Sequence, residues 1–444
     1  MDPPAYSPPQ KYIKINGITK LNPAYIQWQE RNGQQPIFGK DQQGIAIPYI
    51  STLKDYEDYN KVDASAQFSE SVQASMEIAG DEQFCKNLGL NPGSGLDQLS
   101  IIFGKYEIPL GLLSKLFELQ TFDTMEFLID DSGSMICNTD SQFPNGKKMT
   151  RFEEAKERLM DIIKIIAYIQ TPKIYIRFLN RHNVIQHERQ FGVKPETFIA
   201  DIGQEIDRVF SKPPNGSTPF LEKIQESLCR YPKQRAVRYF FGDGQPNGGQ
   251  AAIDEIVKII TNRQNPQDNP ITFVSCTSED QDVEWMKDCE EWAPYCAEID
   301  DYMSEKNEVL GDQGLAFPFS RGFYLLALIV GAMNPEDLDA MDESSPMTKF
   351  TLDNLLGMKY SREEYRNYWQ YFMLAQSKKP QKYKWDWERH FEQFATAQTS
   401  ACNLPIVKSY RQKVMGPSKT LFYSTPRLGV KPKQKNKFLS FLGL

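Results

Sequence analysis

From about residue 120 to residue 335 the chain alternates short apolar runs with amphipathic stretches of helical length. The runs at 125–129, 236–241 and 271–276 are almost continuously apolar, the pattern of strands covered on both faces. Those at 173–179 and 184–189 flank the polar segment 180–183, which predicts a hairpin at the edge of a sheet. Between the runs, 151–170 places Phe152, Ala155, Leu159, Ile162, Ile163, Ile166 and Ile169 along one helical stripe. Thr150, with Glu153 three residues on, forms a capping box that sets where this helix starts. Further helices are predicted at 196–210, 219–230, 251–262 and 282–292, with a last strand at 296–299 and a closing apolar helix at 321–333. Strands and helices in this alternation predict an α/β fold, a doubly wound and mainly parallel sheet with helices on both faces.

The flanks have another texture. Residues 1–63 are rich in Pro, Gln, Asn, Gly and Tyr and hold no sustained period, so a flexible, mostly looped region is expected, with one short hairpin at 39–47. Residues 64–119 form a helical lead-in, broken at Gly80, at Pro92-Gly93 and at Pro109. Residues 336–444 are aromatic-rich and basic, with helices expected at 362–372 and 385–394. The expected organisation is thus 1–63, 64–119, a sheet-bearing domain at 120–335, and 336–444.

Composition narrows the function classes. With 40% hydrophobic and 12% aromatic residues in 444, the chain can bury a large core, which removes wholesale disorder. Seven Cys without a CxxC pair argue against a disulfide scaffold or structural zinc site. The longest apolar stretch, 323–333, is shorter than the roughly 20 residues that cross a bilayer. The N-terminus lacks the basic start and apolar run of a secretory signal. Together with the unpaired thiols this gives a cytoplasmic expectation, and delivery into a host cell would leave the same signature. Only His182, His187 and His390 are present, which thins the field of acid/base enzymes. The net charge is -7, yet 401–444 holds nine Lys or Arg and no Asp or Glu, leaving the first 400 residues at -16.

The chemistry concentrates in Phe127-Leu128-Ile129-Asp130-Asp131-Ser132-Gly133-Ser134-Met135. A buried strand runs into a carboxylate and two hydroxyls spaced two apart, with Gly133 permitting a tight turn. Such oxygen donors suit Mg²⁺, Mn²⁺ or Ca²⁺ and suit zinc poorly. Alone, the segment reads equally as a Ser-rich turn in which Asp130 caps the following backbone. Two other segments bear on it. Asn215-Gly216-Ser217-Thr218-Pro219-Phe220 puts Thr218 at the mouth of a helix, with Pro219 at its first position. Arg238-Tyr239-Phe240-Phe241-Gly242-Asp243-Gly244 is a second buried strand ending in an Asp. Ligands of open parallel sheets gather beyond the carboxyl ends of the strands, so Asp130 and Asp243 are expected to face one crevice.

The ordered set Asp130-x-Ser132-x-Ser134, Thr218 in a Gly-Ser-Thr-Pro loop and Asp243 in a Gly-Asp-Gly-Gln-Pro turn resembles the von Willebrand factor A (VWA) domain and its metal-ion-dependent adhesion site (MIDAS). The resemblance covers 120–335, about half of the chain. It implies a Rossmann-like sheet and a bound divalent cation, Mg²⁺ first, with Mn²⁺ or Ca²⁺ as alternatives. It further implies that Ser132, Ser134 and Thr218 touch the metal, while Asp130 and Asp243 act mostly through bound water. Asp131 falls at a variable position and is not assigned as a ligand. The expected function is a non-enzymatic protein-interaction module in which a partner's Asp or Glu completes the coordination. Two other classes stay open: a metal-dependent hydrolase using the same crevice, and an adaptor acting through its tails.

The tails carry their own signals. Pro3, Pro4 and Tyr6 form a PPxY pattern of the kind WW domains read, because the prolines pre-form an extended left-handed helix. Residues 401–444 combine positive charge with the apolar ending 438–444, which suits an anionic membrane or RNA as partner, or docking on the chain's own acidic body. Trp385 and Trp387, set among Lys382, Lys384 and Asp386, are expected to pack onto the domain, and the acidic pairs and clusters around 300 and 337–343 to be solvated.

Overall fold

The computed structural model describes residues 7–31, 47–143, 145–277, 279–333, 338, 341 and 344–415. The PPxY segment, all but the last residue of the hairpin expected at 39–47, and the basic tail from 416 onward lie outside them.

The loop expected over the first sixty residues is corrected where it is described. Strands β1 (Tyr12–Ile15) and β2 (Ile18–Leu21) pair antiparallel across Asn16-Gly17. Both turn residues have positive φ, 52° and 82°, the tight turn that Asn-Gly favours and whose signal lay unread in the sequence. Helices follow at Pro23–Arg31 and Leu53–Val62, the second capped by Thr52. Tyr12 is fully buried, and Lys11 Nζ meets Asp55 at 2.8 Å, so the hairpin is fastened to the second helix. The lead-in is helical as expected, in pieces at Glu70–Gly80, Glu82–Asn87, Gly95–Tyr106 and Leu113–Phe117.

The sheet strands are β3 (Thr124–Ile129), β6 (Lys173–Phe178), β7 (Ile185–His187), β8 (Ala236–Gly242), β9 (Ile271–Ser275) and β10 (Cys296–Ile299), while β4 (Asn138–Gln142) and β5 (Lys148–Thr150) form a small separate hairpin. The six strands lie in the order β10-β9-β8-β3-β6-β7. All neighbours are parallel except the edge pair β6 and β7. The protein is therefore α/β with a mostly parallel central sheet. From β3 the chain builds outward through β6 to β7, then returns to the other side of β3 with β8, so the direction of winding reverses between β3 and β8. A crevice opens beyond the carboxyl ends of strands at such a point.

Every residue of β3 and β8 is buried, as central strands covered on both faces require. Met125, Phe127 and Ile129 face a large core that includes the helices Arg151–Ile166 and Arg321–Val330. Leu128, with Phe240 and Phe273, faces a smaller core under Phe220–Arg230, Gly249–Thr261 and Asp280–Trp292. The large core runs without interruption from Tyr12 through Phe127 to Trp369, Trp387 and Tyr410. Residues of the two flanks thus pack into the same apolar body as one face of the sheet. Trp387 is fully buried with its ring centroid 4.9 Å from that of Tyr410, and the half-buried Trp385 packs against the same core.

A helix at Tyr302–Gln313 was not expected from the sequence. Asp301, read as part of a solvated acidic face, is its N-cap and accepts from the amides of Met303 and Ser304, while Asp300 beside it is 4% exposed. Capping absorbs the charge that composition alone assigns to solvent. Among the described residues no helix is long and apolar enough to cross a membrane.

Candidate metal centre

Asp130, Ser132 and Ser134 follow β3 directly, and Asp243 follows β8, its hydrogen-bonded neighbour. The ladder continues past the strand end, with Asp130 N donating to Phe241 O at 2.9 Å. Gly242 has no side chain because the ring of Phe220 occupies the place, 2.5 Å from where a Cβ would stand. Asp130, Asp131, Ser132 and Asp243 are each at most 2% exposed.

The turn after β3 is built from its own side chains. Asp130 Oδ1 accepts from Ser132 N at 2.7 Å, the hydroxyls of Ser132 and Ser134 are 3.0 Å apart, and Ser134 Oγ donates to Asp243 Oδ1 at 2.8 Å. The second oxygen of Asp130, Oδ2, is buried without a hydrogen-bond partner. Burial first and the neighbouring Asp243 second push the Asp130 carboxyl up to about 7. Two buried carboxylates in one pocket repel, and an unsatisfied buried oxygen costs about 1–3 kcal/mol.

The Thr218 loop is brought to this turn by backbone contacts. Gly133 N donates to Gly216 O at 3.1 Å and Asn215 N to Asp131 O at 2.8 Å. Thr218 N donates to Asn247 Oδ1 at 3.1 Å, and Asn247 N returns a bond to Thr218 O at 2.9 Å, which joins the loop to the turn after β8. All three sequence segments therefore meet at the carboxyl ends of β3 and β8. Pro219 is the residue before the helix Phe220–Arg230, one position earlier than expected.

Four further residues hold the arrangement and were not singled out in the sequence. Asn180 gives its backbone N to Asp131 Oδ1 at 2.8 Å and its side-chain amide to Ser217 O at 2.8 Å. Arg181 Nε pairs with Asp131 Oδ2 at 3.0 Å, while its other nitrogens bond the carbonyls of Val209, Lys212 and Pro213. Asp131 is thus the strut between the β3 turn and the Thr218 loop. Burial raises its carboxyl above the ordinary range, and Asn180 and Arg181 oppose the rise. Asn247 is the third, and Arg151 the fourth: its Nη1 lies 2.9 Å from Asp243 Oδ2. An Arg in the first turn of a helix opposes the macrodipole, and that mismatch was the available signal that it has a partner elsewhere.

The donor set is two carboxylates and the hydroxyls of Ser132 and Ser134 around one crevice, with the Thr218 loop adjoining. These are hard oxygen ligands, of the class that Mg²⁺, Mn²⁺ and Ca²⁺ prefer. The unpartnered Oδ2 of Asp130 and its repulsion with Asp243 are what a cation would relieve, so these residues fit one.

No protein-family model matches the sequence, and no curated protein matches it. Among solved structures the chain is similar to the PilB minor pilin from Streptococcus sanguinis, with a TM-score of 0.30 and 10% identity over 41% of this chain. The match spans 57% of that pilin, and a likeness of this size carries no argument.

Proposed function

We propose that residues 120–335 are a Rossmann-like VWA domain whose MIDAS crevice holds a divalent cation, most simply Mg²⁺, and captures an acidic residue of a protein partner without catalysing a reaction. The observation that carries this reading is the fully buried Asp130, one oxygen of which lacks a partner while Asp243 faces it across two serine hydroxyls. The strand order, with its reversal between β3 and β8, supports the same reading.

In this reading Ser132, Ser134 and Thr218 offer neutral oxygens, and Asp130 and Asp243 supply charge from behind them. When bound, the cation supplies an electrophilic centre that prefers an anionic oxygen from outside. The chain's own residues do the rest. Asp131, through Asn180 and Arg181, holds the Thr218 loop against the β3 turn, and the Asn247–Thr218 pair of bonds holds it to the β8 turn. A crevice braced on both sides keeps its donors in place before the ligand arrives.

The test is the full chain with Asp130→Ala and Ser132→Ala, compared with wild type in Mg²⁺ and in EDTA by thermal unfolding and by partner capture. Mg²⁺ is expected to raise the wild-type midpoint and partner recovery, and to do neither for the variant. A wild-type midpoint and recovery identical in Mg²⁺ and EDTA would remove the proposal.

A further inference from the structure

The sequence set accounts for the anionic side of the crevice, but the structure adds a cation of its own. Arg151 is the first residue of the helix Arg151–Ile166, after the Thr150 cap. Its backbone N donates to Cys137 O at 2.8 Å, which pins it beside the turn that carries Ser134. Its guanidinium reaches across to Asp243 Oδ2 at 2.9 Å, while Ser134 donates to Oδ1 of the same carboxylate. The Asp243 side chain is fully buried, whereas that of Arg151 is 15% exposed, so of the two partners the arginine is the one that retains contact with solvent.

The charges can be counted. Asp131 is matched by Arg181 and drops out. That leaves Asp130 and Asp243 against Arg151, a balance of one negative charge when both acids are ionised. A divalent cation converts this to one positive charge. Without Arg151 the same crevice would begin with two negative charges and end neutral.

We infer that Arg151 is the residue that makes this crevice select an anionic ligand: it weakens the hold on the divalent cation alone and leaves the loaded crevice positively charged, so that cation and carboxylate bind cooperatively. The inference rests on the cation reading above and adds to it the residue that couples the two ligands. A fixed positive charge close to the ion opposes it directly, and in a site shielded from water that opposition is only weakly screened. A carboxylate bound to the ion comes under the positive charge of the nearby guanidinium, a planar donor suited to a two-oxygen acceptor. By linkage, the factor by which carboxylate tightens the cation equals the factor by which the cation tightens carboxylate.

The experiment titrates the full-length protein with Mn²⁺, read by the electron paramagnetic resonance of the free ion, in the absence and presence of acetate. Wild type, Arg151→Gln, Arg151→Met and Arg151→Lys are compared, each checked for folding by circular dichroism. The two neutral variants guard against one of them failing to fold. Both neutral variants are expected to bind Mn²⁺ alone about tenfold more tightly than wild type, and acetate to tighten Mn²⁺ several-fold more in wild type and Arg151→Lys than in Arg151→Gln or Arg151→Met. Unchanged or weaker Mn²⁺ binding in the folded neutral variants would overturn the role of Arg151 while leaving the cation site standing. Absence of Mn²⁺ binding in wild type and variants alike would instead remove the cation reading and this inference with it.

Discussion

Two acids four residues apart, Glu126 inside β3 and Asp130 just past its end, are both fully buried, yet the protein treats them in opposite ways. Glu126 is surrounded by partners: Arg177 Nε at 3.0 Å, Arg230 Nη1 at 2.5 Å, the Ser227 hydroxyl, and Arg238 Nε at 3.8 Å. Asp130 is met, among the described residues, only by the backbone N–H and hydroxyl of Ser132 and is left facing other carboxylates. A buried charge with its partners already present holds elements together; here Glu126 ties β3 to β6, β8 and the helix Phe220–Arg230. A buried charge whose partners are missing stores free energy that only a ligand or a proton can release.

The largest effect is expected at Glu126. Glu126→Gln leaves the shape but strands the guanidinium groups, and should lower stability by on the order of 3–5 kcal/mol in urea unfolding, with or without metal. Asp130→Asn should act in the opposite sense, stabilising the metal-free protein by up to about 4 kcal/mol at neutral pH, because it removes a charge whose carboxyl is held near 7 in place of 3.8. The same variant should abolish any Mg²⁺ response.

The pH dependence follows from the direction of that shift. Between about 4 and 7 the folded state keeps a proton on Asp130 that the unfolded state has released, so metal-free stability falls as pH rises through this window and levels off above it. Glu107 and Glu305, also pushed up to about 7 by burial, add to the same slope. Thermal midpoints of Asp130→Asn across pH 4 to 8 should therefore show a shallower fall than wild type, and parallel curves would show that Asp130 does not titrate in this way.

Smaller changes sharpen the picture. Gly216 sits at φ +137°, and a Cβ there would lie 2.4 Å from Asn180 Cγ. Gly216→Ala should cost about 1–3 kcal/mol and weaken the Mg²⁺-induced rise in midpoint, since it pushes the Thr218 loop off the β3 turn. Thr150→Ala removes the cap at the start of the helix that carries Arg151, and should cost about 1 kcal/mol with the Mg²⁺ response retained.

Much of the sheet was legible because its signals are local. The apolar runs of β3, β8 and β9, the Thr150–Glu153 capping box and the polar turn between β6 and β7 each follow from residues close together in the chain. The hairpin at Asn16-Gly17 was equally local and was obscured by the Pro- and Gln-rich composition around it. The helix at Tyr302–Gln313 has a weak apolar stripe, so periodicity did not reveal it; its Asp301 cap was the better signal.

At the candidate site, local patterns along the chain are enough to say which oxygen-bearing residues end the two central strands and that glycines give their loops room to turn. That Asp131 is matched by Arg181, that Arg151 reaches Asp243, and that one oxygen of Asp130 is left without a partner follow from the packing of distant segments. The reason is physical: strand and cap preferences are set within a few residues, whereas the loss of water around a charge, and the identity of what replaces it, depend on groups that approach only when distant segments pack.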